Sequence, residues 1–304
     1  MPLSLLPVEI LAEIFIRCLP GDQLFVDPHP LHAPLLLCGV CRQWRLVALN
    51  TPQLWQSLLI VPRCLELCGL WISRAGNCPL SLRLNISDSK ANAAADSLLR
   101  TIADLAPQWR NVDLGKHVDL PSQHGTFPLL EKLAITPDDN NSFSFSFLDA
   151  PNLRHVYVDY IHASGSRLQL PWSQLTTFIA DFIDLDRSVQ VLRCTPLLVE
   201  CTLVLSGLGS AASGSMASIT VPPLAHLHTL NISLAASATP QAIYTALLGA
   251  LTLPALHALA LCFPRNQFFD DADALLQFVE RSGCGCTPML RVLALAGSIP
   301  ADLL

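Results

Sequence analysis

Charge is scarce in this chain. Only 14% of its 304 residues are Asp, Glu, Lys or Arg, and lysine occurs only at Lys90, Lys116 and Lys132. With a formal net charge of −6 and a sequence pI near 5.8, the chain lacks the basic patch that neutralises phosphates, so nucleic acid is not an expected partner. Long hydrophobic runs are missing too. Mean hydropathy is +0.44, yet Pro, Asn, Asp, Arg or a Ser-rich break interrupts every stretch of the about 20 residues that a spanning helix needs. No membrane is expected as a partner. Residues 1–7 carry neither the basic start nor the small-residue cleavage site of a secretory signal, which predicts a cytoplasmic or nuclear protein.

The chemistry of common active sites is equally sparse. No G-x-S-x-G elbow, phosphate-loop G-x-x-x-x-G-K or post-strand G-x-G-x-x-G is present, and nothing suggests a nucleophile together with a base. The chain is therefore not expected to be an enzyme or to need a cofactor; a hydrolase on an unrecognised α/β fold is the remotest reading. Eleven cysteines, odd in number and irregular in spacing, predict reduced thiols rather than a disulfide framework. The two tight cysteine pairs, Cys38-x-x-Cys41 and Cys284-Gly-Cys286, have no companion pair to complete a four-ligand zinc site, so no metal is expected. His226 and His228 are expected to be a solvated pair. Asp270, Asp271 and Asp273 read as acids at a helix start. Asn85, Asn140 and Asn231 fit the glycosylation pattern but have no secretory context. The Gly and Ser run 206–218 reads as a flexible connection.

What is present begins with helices. Leu6-Pro7-Val8-Glu9-Ile10-Leu11-Ala12-Glu13-Ile14-Phe15 places Pro at a first helical position and acids in the opening turns. Apolar residues at Leu6, Ile10, Leu11, Ile14, Phe15 and Cys18 follow helical spacing up to Pro20-Gly21, a stop signal. A second helical stretch is predicted from Leu35 to Asn50, and Pro52-Gln-Leu54-Trp55 closes the unit. Fewer than 60 residues cannot bury all these apolar groups internally, which makes a partner a reasonable cover. The plainer reading is that the helices cap the domain that follows.

The ordered set Leu6-Pro7-x-Glu9-Ile10-Leu11-x-x-Ile14-Phe15, Leu37-x-x-Val40-Cys41-Arg42-x-Trp44-Arg45 and Leu54-Trp55 resembles the F-box family in residue type, order and spacing. The segment 21–34 is longer and richer in Pro than most F-boxes have and is similar to connections in large fungal F-box families. The resemblance implies three short helices at residues 1–60 that dock on a Skp-family adaptor, itself bound to a cullin scaffold. Carried over by position, it implies adaptor contacts from Leu6, Pro7, Ile10, Leu11 and Ile14, and from Val40, Cys41 and Trp44.

Residues 61–304 carry a degenerate repeat. A Pro followed by L-x-x-L-x-L recurs as Pro128-Leu-Leu130-Glu-Lys-Leu133-Ala-Ile135, at Pro151 to Val158, at Pro254 to Leu261 and at Pro288 to Leu295. The central apolar residues Val112, Leu133, Val156, Phe178, Cys201, Leu230, Leu259 and Leu293 differ, by subtraction, by 21, 23, 22, 23, 29, 29 and 34 positions, the period of leucine-rich repeats stretched by insertions. Helices are predicted between strands at 64–75, 91–105, 185–194, 241–251 and 271–282. The expected fold is therefore α/β: a short helical N-terminal domain, then an irregular leucine-rich-repeat-like solenoid with parallel strands inside and helices or loops outside. Pro is expected just ahead of each strand, where its missing N–H costs the ladder nothing. Phe143, Phe145 and Phe147 fit one buried strand face.

Period-two alternation puts the residues beside each central one on the opposite, concave face. The expected target-binding surface comprises Lys132, His155, Tyr157, Thr177, Glu200, Thr202, Thr229 and Asn231, polar in its first half, with small residues such as Ala258 and Ala260 later. The expected function is that of a substrate receptor in an SCF-type cullin-RING ubiquitin ligase, holding an unknown protein target. The alternative is a non-catalytic binding scaffold with no ligase role.

Overall fold

In the computed structural model, residues 6–21, 24–86, 93–116, 118, 125–136, 146–159, 168–207, 220–235, 240–262, 271–283 and 292–296 are described. The expectations for Phe143, Phe145, Asp270, Cys284 and Cys286, and for most of the Gly and Ser run, lie outside them. The chain divides into two compact units, Met1–Asp138 with Phe145–Asn152, and Asp139–Ser144 with Leu153–Leu304. The architecture is α/β, and in each unit the strands are parallel.

The first unit opens with three short helices, α1 (Val8–Arg17), α2 (Leu35–Val40) and α3 (Arg42–Leu49). Pro7 stands just outside α1 as its cap rather than within its first turn. The single helix expected over 35–50 is two. At Cys41 the backbone is extended, φ −158° and ψ 171°, and its sulfur accepts from the Trp44 N–H at 3.5 Å. A residue in that conformation ends one helix and caps the next, although the apolar spacing runs through it.

After a 3₁₀ turn, Pro52–Trp55, come β1 (Ser57–Ile60), α4 (Leu65–Ala75), β2 (Leu80–Leu84), α5 (Ala93–Asp104), β3 (Trp109–Leu114) and β4 (Lys132–Ile135). Strands β1 to β4 pair in chain order. Strand β1 was not expected, because Pro52-Gln-Leu54 was read as closing the helical unit and Leu54 stands four residues, not three, ahead of Leu58. Three buried tryptophans anchor this unit, and each indole N–H finds a carbonyl: Trp55 that of Ala48 at 2.9 Å, Trp71 that of Ser57 at 3.1 Å and Trp109 that of Ile102 at 3.1 Å. Trp55 and Trp71 meet edge to face at 4.9 Å, a favoured aromatic geometry. Phe147 is buried but in no strand.

The second unit holds β5 (His155–Asp159), β6 (Thr177–Asp184), α6 (Leu185–Cys194), β7 (Glu200–Gly207), β8 (Thr229–Leu234), α7 (Pro240–Ala250), β9 (Ala258–Cys262), α8 (Ala272–Arg281) and β10 (Val292–Ala296). Its strands also pair in chain order, with Val156 opposite Phe178, Phe178 opposite Cys201, Cys201 opposite Leu230, Leu230 opposite Leu259 and Leu259 opposite Leu293. In the first unit Leu58, Leu82, Val112 and Leu133 form the equivalent row. The expected central residues are therefore in register, and the five expected helices are present.

The prolines stand ahead of the strands, inside the turns that lead into them. Pro128, Pro196 and Pro254 occupy the second position of tight turns, closed by Leu130 N–H to Phe127 O, Leu198 N–H to Thr195 O and Leu256 N–H to Leu253 O at 3.2, 3.3 and 3.2 Å. Pro suits that position because its φ is already set. Each turn delivers a leucine into the core three residues ahead of the central strand residue. Leu130, Leu153, Leu175, Leu198, Leu227 and Leu256 are all fully buried.

Candidate functional site

Helix α1 is apolar on more than one stripe. Leu11 and Phe15, four residues apart, point inward, and the Phe15 ring lies 4.9 Å from that of Trp44 on α3. Their neighbours Ile10 and Ile14, also four apart, are 49% and 41% exposed. Helix α2 repeats the pattern, with Leu37 buried and Leu36 and Val40 exposed. Arg45 Nε donates to Cys38 O at 2.8 Å and ties α3 to α2. A soluble surface ordinarily keeps its large apolar side chains scattered; here Val8, Ile10, Ile14, Leu36, Val40 and Leu46 all emerge from three helices within the first fifty residues.

Among the eight N-terminal residues singled out from the sequence, Pro7, Ile10, Ile14, Val40 and Cys41 are exposed, whereas Leu6 and Trp44 are half-buried. Leu11 is only 1% exposed, so its side chain belongs to the core of the unit. Val8, Leu36 and Leu46 were missed. A helical wheel broken at Cys41 would have found Leu36 and Leu46.

The strand residues singled out divide between the two units. In the second, His155, Thr177, Glu200 and Thr229 lie in register across β5 to β8, and Tyr157, Ile179, Thr202 and Asn231 form the parallel row. Glu200 is exposed and His155, Tyr157, Thr177, Thr202 and Thr229 are half-buried. Asn231 is 3% exposed, which removes it from the expected surface; its amide donates to Thr202 Oγ1 at 3.3 Å. The Tyr157 hydroxyl donates to Asp181 Oδ2 at 2.7 Å, and Asp181 was not foreseen. It stands opposite Asp159. Lys132 is exposed in the first unit, where it is in register with Asn111 and Ser81. Asn111 is buried there, donating to Ser81 Oγ at 2.9 Å, and two residues further along the strands Arg83 meets Asp113 at 2.6 Å.

The remaining candidates resolve into local structure. His226 and His228 are exposed ahead of β8, and the His228 ring contacts His257 edge to face at 4.8 Å. Asp271 caps α8, accepting from Ala274 N–H at 3.0 Å and from Thr245 Oγ1 at 2.7 Å; these bonds hold its carboxyl below the ordinary carboxylate range. Cys38 is half-buried, and that burial pushes its thiol up. Among the described residues no three His, Cys, Asp or Glu side chains converge as a metal cluster. No described helix is long and apolar enough to cross a membrane.

No protein-family model matches this chain, nor does any curated protein or solved structure.

Proposed function

We propose that this chain is the substrate receptor of a cullin-RING ubiquitin ligase of the SCF type, held to a Skp-family adaptor by its N-terminal helices. One observation carries this reading: the exposure of the apolar side chains Ile10 and Ile14 on α1 and Leu36 and Val40 on α2, helices whose sequence resembles an F-box. Covering one such side chain recovers up to roughly 1.5–3 kcal/mol. A partner that covered several would bind tightly without a large polar interface.

The strands support a repeat domain as the target-binding half. In β5 and β6 buried and half-exposed residues alternate, whereas a parallel sheet covered on both faces is apolar on both. Helices α6, α7 and α8 each pack on the next, as stacked repeats do. The mechanism is proximity: the receptor holds a protein target near the charged conjugating enzyme and raises effective concentration, so no residue of this chain enters the chemistry.

The test is co-expression with a Skp-family adaptor. Ile10→Asp combined with Val40→Asp should lower adaptor recovery at least ~100-fold, since two buried charges cost well over 3 kcal/mol. Adaptor recovered equally with the double variant would overturn the assignment.

A further inference from the structure

We infer that Cys64 and Cys68 form a peroxide-sensing dithiol, in which a hydroperoxide oxidises Cys64 and Cys68 resolves the product into an intrachain disulfide. The pair lies where β1 turns into α4. Cys64 caps α4 and Cys68 follows one helical turn later, which brings the sulfurs to 3.8 Å. A disulfide needs about 2.0 Å, so the sulfurs must approach by the difference for the bond to form.

The two thiols have different surroundings. Cys68 is fully buried, whereas Cys64 is 8% exposed and lines an open cavity of about 890 Å³ with Pro28, His29, Pro62, Arg63 and Leu70. Cys64, and not Cys68, lines the cavity that a small peroxide would enter. The groups around Cys64 favour its thiolate. The Cys68 thiol beside it is the largest influence and lowers the Cys64 thiol against burial, with the Val61 backbone and the Arg63 charge acting the same way and the Asp27 carboxylate opposing them. The N-terminus of α4 acts in the same direction. Asp27 is itself engaged by Arg63 at 2.8 Å; His29 and Glu66 also line the cavity. The hydrogen-bonded Cys64 and then burial push Cys68 up, so it waits as a thiol.

The electron count closes. The Cys64 thiolate attacks one peroxide oxygen, the O–O bond breaks, and the other oxygen leaves as an alcohol after taking a proton from water. Cys64 is then a sulfenic acid. The Cys68 sulfur attacks the Cys64 sulfur, the S–O bond breaks, and the departing hydroxide takes the Cys68 proton and leaves as water. Two thiols have lost two electrons and two protons, and one hydroperoxide has become alcohol and water. A cellular dithiol reverses the bond.

Cleavage after Arg63 and Arg74 isolates both cysteines in one peptide, residues 64–74, which makes the test direct. The full chain is treated with hydrogen peroxide near pH 7, blocked with N-ethylmaleimide, digested and weighed. The expected result is a 64–74 peptide lacking two hydrogens and carrying no maleimide, restored to a doubly labelled peptide by dithiothreitol. In Cys68→Ser, dimedone should trap a sulfenic acid at Cys64; in Cys64→Ser, Cys68 should stay unoxidised. Labelling of Cys64 in the untreated protein should reach its plateau at a lower pH than that of an ordinary thiol, which rises toward about pH 9. A doubly labelled 64–74 peptide after peroxide, at doses that oxidise exposed Cys18 and Cys194, would overturn the inference.

Discussion

Asp271 shows how one side chain can join two elements. Its carboxylate accepts from the first turn of α8 and from Thr245 on α7, and both bonds favour the ionised form, so its pKa is lower folded than unfolded. By linkage, this contribution is complete above the ordinary carboxylate pKa and disappears as pH falls through the lower folded value. Asp271→Asn retains an acceptor but no charge. Its melting temperature should therefore trail that of the natural protein most at pH 7, with the gap closing in melts taken toward pH 3; a gap independent of pH would assign the effect to packing. The capping role was legible, since acids cluster ahead of an amphipathic run. The bond to Thr245 was not, because it joins residues 26 positions apart.

For elements, most of the repeat was readable because two signals coincide. Apolar residues alternate over four to six positions, and a turn leucine stands three residues ahead of each central one, so Leu130 with Leu133 and Leu256 with Leu259 fix both the strand and its facing. The register across Phe178, Cys201 and Leu230 follows from that phrase alone. Ahead of strand β1 the turn leucine, Leu54, stands four residues rather than three before Leu58, and the break at Cys41 leaves no mark on apolar spacing, so both escaped. The break itself can be tested. Oxygen is a better cap acceptor than sulfur, so Cys41→Ser should be at least as stable as the natural protein, whereas Cys41→Ala should lose about 0.5–1 kcal/mol in urea denaturation. A stable alanine variant would mean that the extended backbone at Cys41 depends on packing rather than on the cap.

At the scale of the whole molecule, the proposed receptor role must be separated from the integrity of the first unit. Residues 1–60 were expected to form an N-terminal helical domain; in the structure β1 pairs with β2, Trp55 packs on Trp71, and the Trp55 indole bonds to Ala48. The helices and the first strands thus share one core. Deleting 1–60 would bare the edge of β2 and empty the place of Trp55, and loss of a buried Trp side chain alone costs about 3–5 kcal/mol. Such a truncation should abolish cooperative melting of the first unit and would mimic loss of function whatever the role of the helices. Ile10→Asp with Val40→Asp changes only exposed positions, and substitutions of that kind usually shift stability by less than about 0.5 kcal/mol each, or about 2 °C for a unit this size. The double variant should therefore melt within a few degrees of the natural protein while losing the adaptor. If it unfolds instead, these side chains are held by contacts inside the chain, and the helices are a cap rather than a docking face.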